Sequence, residues 1–243
     1  MGHARQEETI EGTRAAAQIV ARVLREMGRA VRPGITTAEL DRLAETVIRD
    51  HGARPAFKGY RSYPASICAS INEEVVHGIP GARALDEGDI IGIDVGAELH
   101  GWYGDAATTF AVGAVSEDAS RLLRVTAEAL ALGLAQARAG NRVGDISHAV
   151  QTHAERHGFS VVRDLVGHGI GREMHEEPAI PNYGPPGKGP RLFVGQVLAI
   201  EPMVNAGGYA VVTRSDGWTV ATKDGRWSAH FEHTVAVGPD GPE

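Results

Sequence analysis

Apolar residues recur every three or four positions in two stretches before residue 53, the spacing of one face of an α-helix. The first stretch runs from about Glu11 to Arg29 and is stopped by Pro33-Gly34. The second begins after Thr36 and Glu39, which form a capping-box pattern, and Gly52 ends it. The pattern therefore predicts a pair of helices at the start of the chain.

Strand-type alternation follows. We expect a strand at Ser66–Ile71, a loop from Asn72 to Ala84, and a β-hairpin between Asp89 and Phe110 whose turn is Glu98-Leu99-His100-Gly101.

A turn centred between Leu99 and His100 would place Asp94 directly opposite Asp105 on one face of that hairpin. Two bare carboxylates there would repel each other, and an apolar strand is a costly place for either. A cation between them would remove both objections, so the pair indicates half of a metal site. Two surface aspartates on an edge hairpin are the simpler interpretation of the pair alone.

The same order of elements returns in the second half of the chain. A third helix is expected from Ser116 to Gly140, and a fourth, capped by Asp145, ends at Gly158. Gly34 and Gly52 recur at Gly140 and Gly158. The first hairpin's acidic residues find counterparts in the second half, with Asp94 falling on Glu201 and Asp105 on Glu232. We therefore predict one domain over 1–243 with two pseudo-symmetric halves, about 10–112 and 116–238.

If the halves pack face to face, four carboxylates converge, and about two divalent ions would make that charge density tolerable. His168, between Gly167 and Gly169, is the candidate softer ligand that favours a transition metal, although a histidine in such a turn is more often structural. His175 and His77 lie in neighbouring loops and could serve the same cleft. His230 should share a strand face with Glu232, and the sequence suggests no role for it.

Composition narrows the class of protein. The chain is 42% hydrophobic and 23% charged, as expected for a globular protein, and its net charge of −7 argues against a non-specific nucleic-acid binder. Cys68 is the single cysteine, no signal segment is evident, and no apolar stretch approaches the roughly 18 residues of a membrane helix. These features predict a cytoplasmic protein without membrane association, and nothing requires more than a monomer.

Several motifs together resemble the type I methionine aminopeptidase family over essentially the whole chain. They are Asn72-Glu73-x-Val75-Val76-His77-Gly78-Ile79-Pro80, Ile93-Asp94-Val95 with Gly104-Asp105, Gly167-His168-Gly169-Ile170-Gly171 with His175-Glu176-x-Pro178, Ile200-Glu201-Pro202-Met203, and Phe231-Glu232-His233-Thr234. The resemblance implies the pseudo-two-fold pita-bread fold, a mixed α/β (α+β) architecture in which helices back a curved antiparallel sheet.

The resemblance also implies an activity: removal of the N-terminal methionine from nascent proteins and peptides with a small second residue, by hydroxide that two divalent metal ions generate. Asp94 and Asp105 would bind one ion, His168 and Glu201 the second, and Asp105 and Glu232 would bridge the two. The ions could be cobalt, manganese, iron or zinc.

Catalytic roles follow from the same resemblance. Glu201 would handle the proton of the attacking water, His175 would contact the substrate carbonyl and the developing oxyanion, and His77 would contact the scissile amide nitrogen. The methionine pocket would be lined by Tyr60, Tyr63, Cys68 and Trp218, with Phe57 and Met174 at two positions that depart from the commonest bacterial pattern. Both are still apolar, so we expect an altered pocket shape and retained activity.

Two rival functions use the same fold. An X-Pro aminopeptidase would share the ligand set but typically carries an additional N-terminal domain, for which the sequence has no room before the first helix pair. A non-catalytic adaptor module should lack some ligands, whereas every candidate ligand is present here. Transient association with the ribosome is implied by the family alone.

Overall fold

The computed structural model describes the backbone of residues 3–243 and the side chains of residues 6–243. It contains four α-helices, which are α1 (His3–Ala30), α2 (Thr37–Asp50), α3 (Glu117–Leu134) and α4 (Val143–Arg156). Its strands are β1 (Arg54–Pro55), β2 (Ile67–Ile71), β3 (Glu74–Val76), β4 (Ile90–Leu99), β5 (Trp102–Ala111), β6 (Ser160–Val161), β7 (Gly167–Gly169), β8 (Glu176–Ile180), β9 (Val197–Ile200), β10 (Met203–Asn205), β11 (Val211–Thr213), β12 (Val220–Thr222), β13 (Ser228–His230) and β14 (Glu232–Ala236). Among the residues described, no helix has the length and apolar character to cross a membrane.

The first helix pair agrees with the sequence pattern, with one shift of boundary. The Thr36 hydroxyl accepts a hydrogen bond from the Glu39 amide (3.2 Å), and the Glu39 carboxylate accepts one from the Thr36 amide (2.9 Å). The predicted capping box is therefore confirmed. Helix α1 begins at His3, eight residues before the predicted start, because helical geometry continues through the polar residues ahead of its apolar stripe.

The second helix pair departs from the prediction at two ends. Helix α3 is capped by Ser116 as expected but ends at Leu134, because the next backbone bonds span three residues and tighten the chain out of the α-helix (Gln136 to Gly133, Ala137 to Leu134). Asp145 is not the cap of α4. It lies in the first turn, and its carboxylate accepts a hydrogen bond from the amide of Arg142, which occupies the cap position.

An antiparallel sheet of eight strands forms the centre of the fold. Its strand order is β1-β4-β5-β14-β9-β7-β8, with β2 also paired to β4, and two three-stranded sheets, β13-β10-β6 and β11-β12-β3, flank it. Strand β3 lies inside the stretch predicted to be a loop. Helix α1 packs on β4 and β5, while α3 and α4 pack on each other and contact strands of the second half. The two helix pairs thus bury separate cores against one continuous sheet.

The central hairpin turns one residue later than predicted, which shifts its register by two. Its loop is His100-Gly101, both with positive φ (54° and 79°), which is the backbone that a two-residue hairpin loop needs. Asp94 consequently pairs with Ala107, and Asp105 pairs with Gly96. The prediction that the two aspartates lie directly opposite each other is therefore wrong. They are diagonal neighbours on the same face.

The two halves repeat individual backbone contacts. The Gly34 amide bonds to the Leu85 carbonyl (2.7 Å), and 106 residues later the Gly140 amide bonds to the Leu192 carbonyl (2.9 Å). The isolated bridge Thr36↔Ala84 has its counterpart in Arg142↔Arg191. We propose on this basis that the chain is one domain of two related halves, with the boundaries predicted from the sequence.

Candidate metal centre and active site

Five candidate ligands come from five consecutive strands of the large sheet. Asp94 lies on β4, Asp105 on β5, Glu232 at the start of β14 and His168 on β7, while Glu201 directly follows β9. Because these strands are neighbours, five side chains that are distant in sequence line one cavity. This convergence was predicted from the acidic residues in both hairpins.

The carboxylates present more hydrogen-bond acceptors than the protein satisfies. Asp94 Oδ1, Asp105 Oδ1 and Glu232 Oε1 are buried, and the structure gives them no hydrogen-bond partner. Burial, reinforced by the charge of Asp105, holds the pKa of Asp94, Glu201 and Glu232 well above the usual range, and burial raises that of Asp105 to about 7. Unpaired buried acceptors of this kind are expensive, and a cation among them would satisfy them.

His168 fits the same interpretation. Its Nδ1 lies 2.9 Å from the Gly169 carbonyl oxygen, which can only accept, so Nδ1 carries the proton and Nε2 has a free lone pair. That Nε2 lies 3.6 Å from Glu201 Oε1, a second acceptor. In metal-ligating histidines, one ring nitrogen typically donates its N–H to a backbone carbonyl and the other nitrogen binds the metal. His168 has this arrangement. Ligand atoms of Asp105, His168 and Glu232 all lie within 4.8 Å of one another, so these residues fit a bound divalent metal ion.

The glycines beside His168 allow its strand to sit between two others. A Cβ at Gly167 would lie 2.4 Å from the Ala199 carbonyl oxygen on β9, and a Cβ at Gly169 would lie 2.3 Å from the Glu177 carbonyl oxygen on β8. Both contacts are to backbone, which cannot rotate away. The Gly-His-Gly pattern thus lets strand β7 approach its neighbours closely enough to place the imidazole in the cavity.

His175 stands beside the ligand cluster and is held by Tyr60. The Tyr60 hydroxyl lies 3.0 Å from His175 Nδ1, and the two rings stack with centroids 5.4 Å apart. The His175 ring also lies 4.3 Å, centroid to centroid, from that of His168. Burial, helped by the neighbouring His168, lowers the pKa of His175 to about 4, so the ring is neutral at pH 7. Burial likewise lowers the pKa of His77, which lines the same cavity.

Apolar and aromatic side chains form a second wall of the cavity. Its members include every side chain predicted for the methionine pocket, namely Phe57, Tyr60, Tyr63, Cys68, Met174 and Trp218. The cavity volume is about 120 Å³. Since pockets for drug-sized ligands measure roughly 300–1,000 Å³, this one suits a single side chain. The structure therefore brings all of the predicted site residues together.

Two further residues of the site received no role from the sequence. His230, 3% exposed, directs Nε2 to within 3.7 Å of Glu201 Oε2 and has no hydrogen-bond partner there. Strand alternation, which puts it on the face of Glu232, was the available signal. Arg61 also lines the cavity, and only its position between Tyr60 and Tyr63 could have indicated this.

The chain is similar to known proteins over most of its length. The family model described as metallopeptidase family M24 matches residues 11–239. A methionine aminopeptidase of Clostridium acetobutylicum is 57% identical over 235 residues, covering 96% of this chain and 94% of that protein. The crystal structure of methionine aminopeptidase from Rickettsia prowazekii superposes with a TM-score of 0.96 at 45% identity, covering 98% of this chain and 96% of that one.

A more distant structure shares the fold alone. The X-Pro aminopeptidase of Thermotoga maritima matches with a TM-score of 0.76 at 24% identity, and the match covers 98% of this chain but 60% of that protein. The family match over most of the sequence and the close relatives over nearly its full length agree with the buried ligand set, and the chain belongs to metallopeptidase family M24.

Proposed function

We propose that this chain removes the N-terminal methionine from peptides and nascent proteins whose second residue is small. The observation that carries the proposal is one small cavity with two chemically different walls. One wall is the cluster of five metal-ligand side chains, and the other is an apolar surface. The second wall suits a thioether, because aromatic rings and the Cys68 and Met174 sulfur atoms are soft and polarizable.

The proposed metal centre would hold two divalent ions. The residues that would hold them are Asp94, Asp105, His168, Glu201 and Glu232. When bound, such ions lower the pKa of a water molecule and polarise a carbonyl oxygen. A set of four carboxylates and one imidazole accepts cobalt, manganese, iron or zinc, and cellular supply would decide among them.

The protein's own groups perform the remaining steps. The free amine of the substrate is attracted to the carboxylate cluster, which restricts cleavage to the first residue. Glu201, buried and adjacent to Asp105, is placed to take a proton from the attacking water and return it to the leaving amine. His77 would contact the nitrogen of the scissile amide.

The hydrogen bond to Tyr60 gives His175 a defined task. If Nδ1 accepts the hydrogen bond from the Tyr60 hydroxyl, the neutral ring carries its own proton on Nε2. Nε2–H can then donate to the oxyanion that develops on the substrate carbonyl, an interaction whose loss typically costs about 10²–10³ in rate.

The test combines metal content with substrate choice. We expect the purified protein to bind divalent metal and to cleave Met-Ala-Ser but not X-Pro peptides, and Asp105→Asn or Glu232→Gln to lose both metal and activity. Asp240→Asn, a surface carboxylate, is the matched control and should keep both. Cleavage of X-Pro peptides would favour the rival enzyme, and absence of all cleavage by the metal-loaded protein would favour the adaptor. Wild-type turnover in the Glu232→Gln variant would reject the two-metal centre.

The cellular setting remains a prediction. Nascent chains as substrates imply transient work near the ribosome in the cytoplasm, and a monomer suffices because all of the site residues come from one chain.

A further inference from the structure

A single arginine stands among the residues that line the active-site cavity. Arg61 is exposed at its mouth, and it is the sole lysine or arginine among the described residues lining it. Elsewhere on the protein, exposed arginines such as Arg49 and Arg214 pair with glutamates. Within residues 6–243 no carboxylate forms an ion pair with Arg61, and the contact its guanidinium does make is with the Tyr60 ring, at 5.4 Å from Cζ to the centroid.

The backbone holds Arg61 in a defined place. It lies in a 3₁₀ turn, Tyr60–Ser62, with left-handed φ and ψ of 47° and 31°. Two hydrogen bonds close this turn, from the Gly59 amide to the Tyr63 carbonyl (2.8 Å) and from the Tyr63 amide to the Tyr60 carbonyl (2.8 Å). The left-handed region is unfavourable for a non-glycine residue, so the surrounding contacts keep Arg61 there.

The Arg61 guanidinium lies close enough to the reacting centre for a short bound peptide to contact it. Arg61 Cζ is 5.4 Å from the Tyr60 ring, which is 5.4 Å from the ring of His175. The distance from the guanidinium carbon to the His175 ring is therefore no greater than the sum of those two distances. An extended peptide advances about 3.3–3.6 Å per residue, so the guanidinium lies within reach of the first three residues beyond the bond at His175. The charge is close enough to contribute to lowering the pKa of His175, behind burial and His168.

We propose that Arg61 is a specificity-determining residue that binds a carboxylate two residues beyond the N-terminal methionine. This inference rests on the proposed function. The carboxylate can be the side chain of an acidic third residue or the C-terminal group of a tripeptide, because a guanidinium recognises both by the same bidentate geometry.

An ion pair at an exposed position gives a modest and salt-dependent preference, about twofold to fivefold. Because the contact is made equally in the ground state and the transition state, it should change KM and leave kcat alone.

The experiment compares three peptides with the metal-loaded protein: Met-Ala-Glu-amide, Met-Ala-Gln-amide, and Met-Ala-Gln with a free C-terminus. For wild type we expect kcat/KM to favour the Glu peptide over the Gln amide by about twofold to fivefold, through KM, with the preference shrinking in high salt. Arg61→Gln should abolish the preference. Arg22→Gln, which removes an exposed arginine of α1, is the matched control and should keep it. The free-acid peptide tells whether a C-terminal carboxylate is accepted as well.

Equilibrium binding of the same peptides to metal-depleted protein, measured by calorimetry, gives a readout that does not depend on turnover. The same ratio of dissociation constants, lost in Arg61→Gln, would support the proposal. Equal affinities of wild type for the Glu and Gln amides, or an unchanged ratio in Arg61→Gln, would overturn it. If the loaded protein cleaves no Met-Ala peptide, the proposed function fails, and the binding ratio still decides the role of Arg61.

Discussion

A single methyl group at Gly104 should separate helix α1 from the central hairpin. Gly104 precedes the candidate ligand Asp105 on β5, where the strand meets the middle of α1. An ideal Cβ at this position would lie 2.4 Å from the amide nitrogen of Ala17 and 2.6 Å from its Cα. Ordinary contact begins near 3.4 Å, so the helix and the strand must move apart by about 1 Å.

The cost follows from which atoms collide. Overpacking a close-packed interior typically costs about 1–3 kcal/mol, and the upper end applies here because backbone atoms have no rotamer to escape into. We therefore expect Gly104→Ala to lower the free energy of unfolding by about 3 kcal/mol. For a chain of this length that corresponds to a fall in Tm of roughly 6–12 °C.

Gly92→Ala supplies a control in the paired strand of the same hairpin. A Cβ at Gly92 would lie 3.4 Å from the Thr109 hydroxyl and 3.7 Å from the Ser70 carbonyl, both ordinary contacts. The added methyl also restricts the unfolded chain, which stabilises by about 0.4–1 kcal/mol where the native backbone tolerates it. Gly92→Ala should thus be neutral or slightly stabilising.

The stability of both variants is measured by urea and thermal unfolding. The protein is depleted of metal for these measurements, because bound metal would add its own stabilisation. Equal stability of Gly104→Ala and Gly92→Ala would refute the argument that α1 rests on bare backbone at Gly104. A titration of Gly104→Ala with divalent metal should also show weakened binding, because the strand that moves carries Asp105.

Three further predictions concern single side chains. Replacing His230 with Leu should lower kcat about tenfold through loss of an N–H near Glu201, and Gln, which keeps an N–H, should recover most of it; equal kcat values would exclude a positioning role. Replacing His175 with Ala should lower kcat by about 10²–10³ with metal content unchanged, and a kcat near wild type would reject its oxyanion role. The ion pair with Lys58 is the leading cause that lowers the pKa of Glu45 to about 2, so Glu45→Gln should cost about 1 kcal/mol above pH 4.5, where both states of wild type are ionised. That difference should vanish as pH falls from 4.5 towards 2, and a loss independent of pH would contradict it.

The four helices and the caps at Thr36 and Ser116 could be predicted because their signals are local, although Asp145 was wrongly predicted as the cap of α4. The capping box at Thr36 and Glu39 involves residues three apart, and the structure shows both of its hydrogen bonds. The end of α3 could not be placed, since Gly140 is a turn glycine with positive φ but the chain leaves the helix at Leu134. Where a helix gives way to an irregular turn depends on packing, which periodicity does not contain.

The candidate ligands could be predicted even though the hairpin register was wrong. The alternation of side chains in a strand has a period of two, so a turn displaced by one residue along the chain shifts the register by two and returns every side chain to its face. Asp94 and Asp105 therefore stayed on one face as diagonal neighbours. A register shift of one residue would have sent Asp105 to the face that packs on α1. The prediction of a metal centre thus required only that the error in register be an even number of residues. It did not require the exact position of the turn.

The residues without a predicted role show what the sequence pattern could not predict. The role of His230 depends on Glu201, whose Oε2 lies 3.7 Å from its Nε2, and the proposed role of Arg61 depends on a bound peptide. Strand alternation can say which way His230 faces, but the nearest atom on that face comes from a different strand, 29 residues earlier in the chain. The face of a side chain is encoded locally, whereas its partner is set by the order of strands in the sheet. For this fold, ligands that share a hairpin are therefore easier to predict from the sequence than groups in a neighbouring sheet that position those ligands.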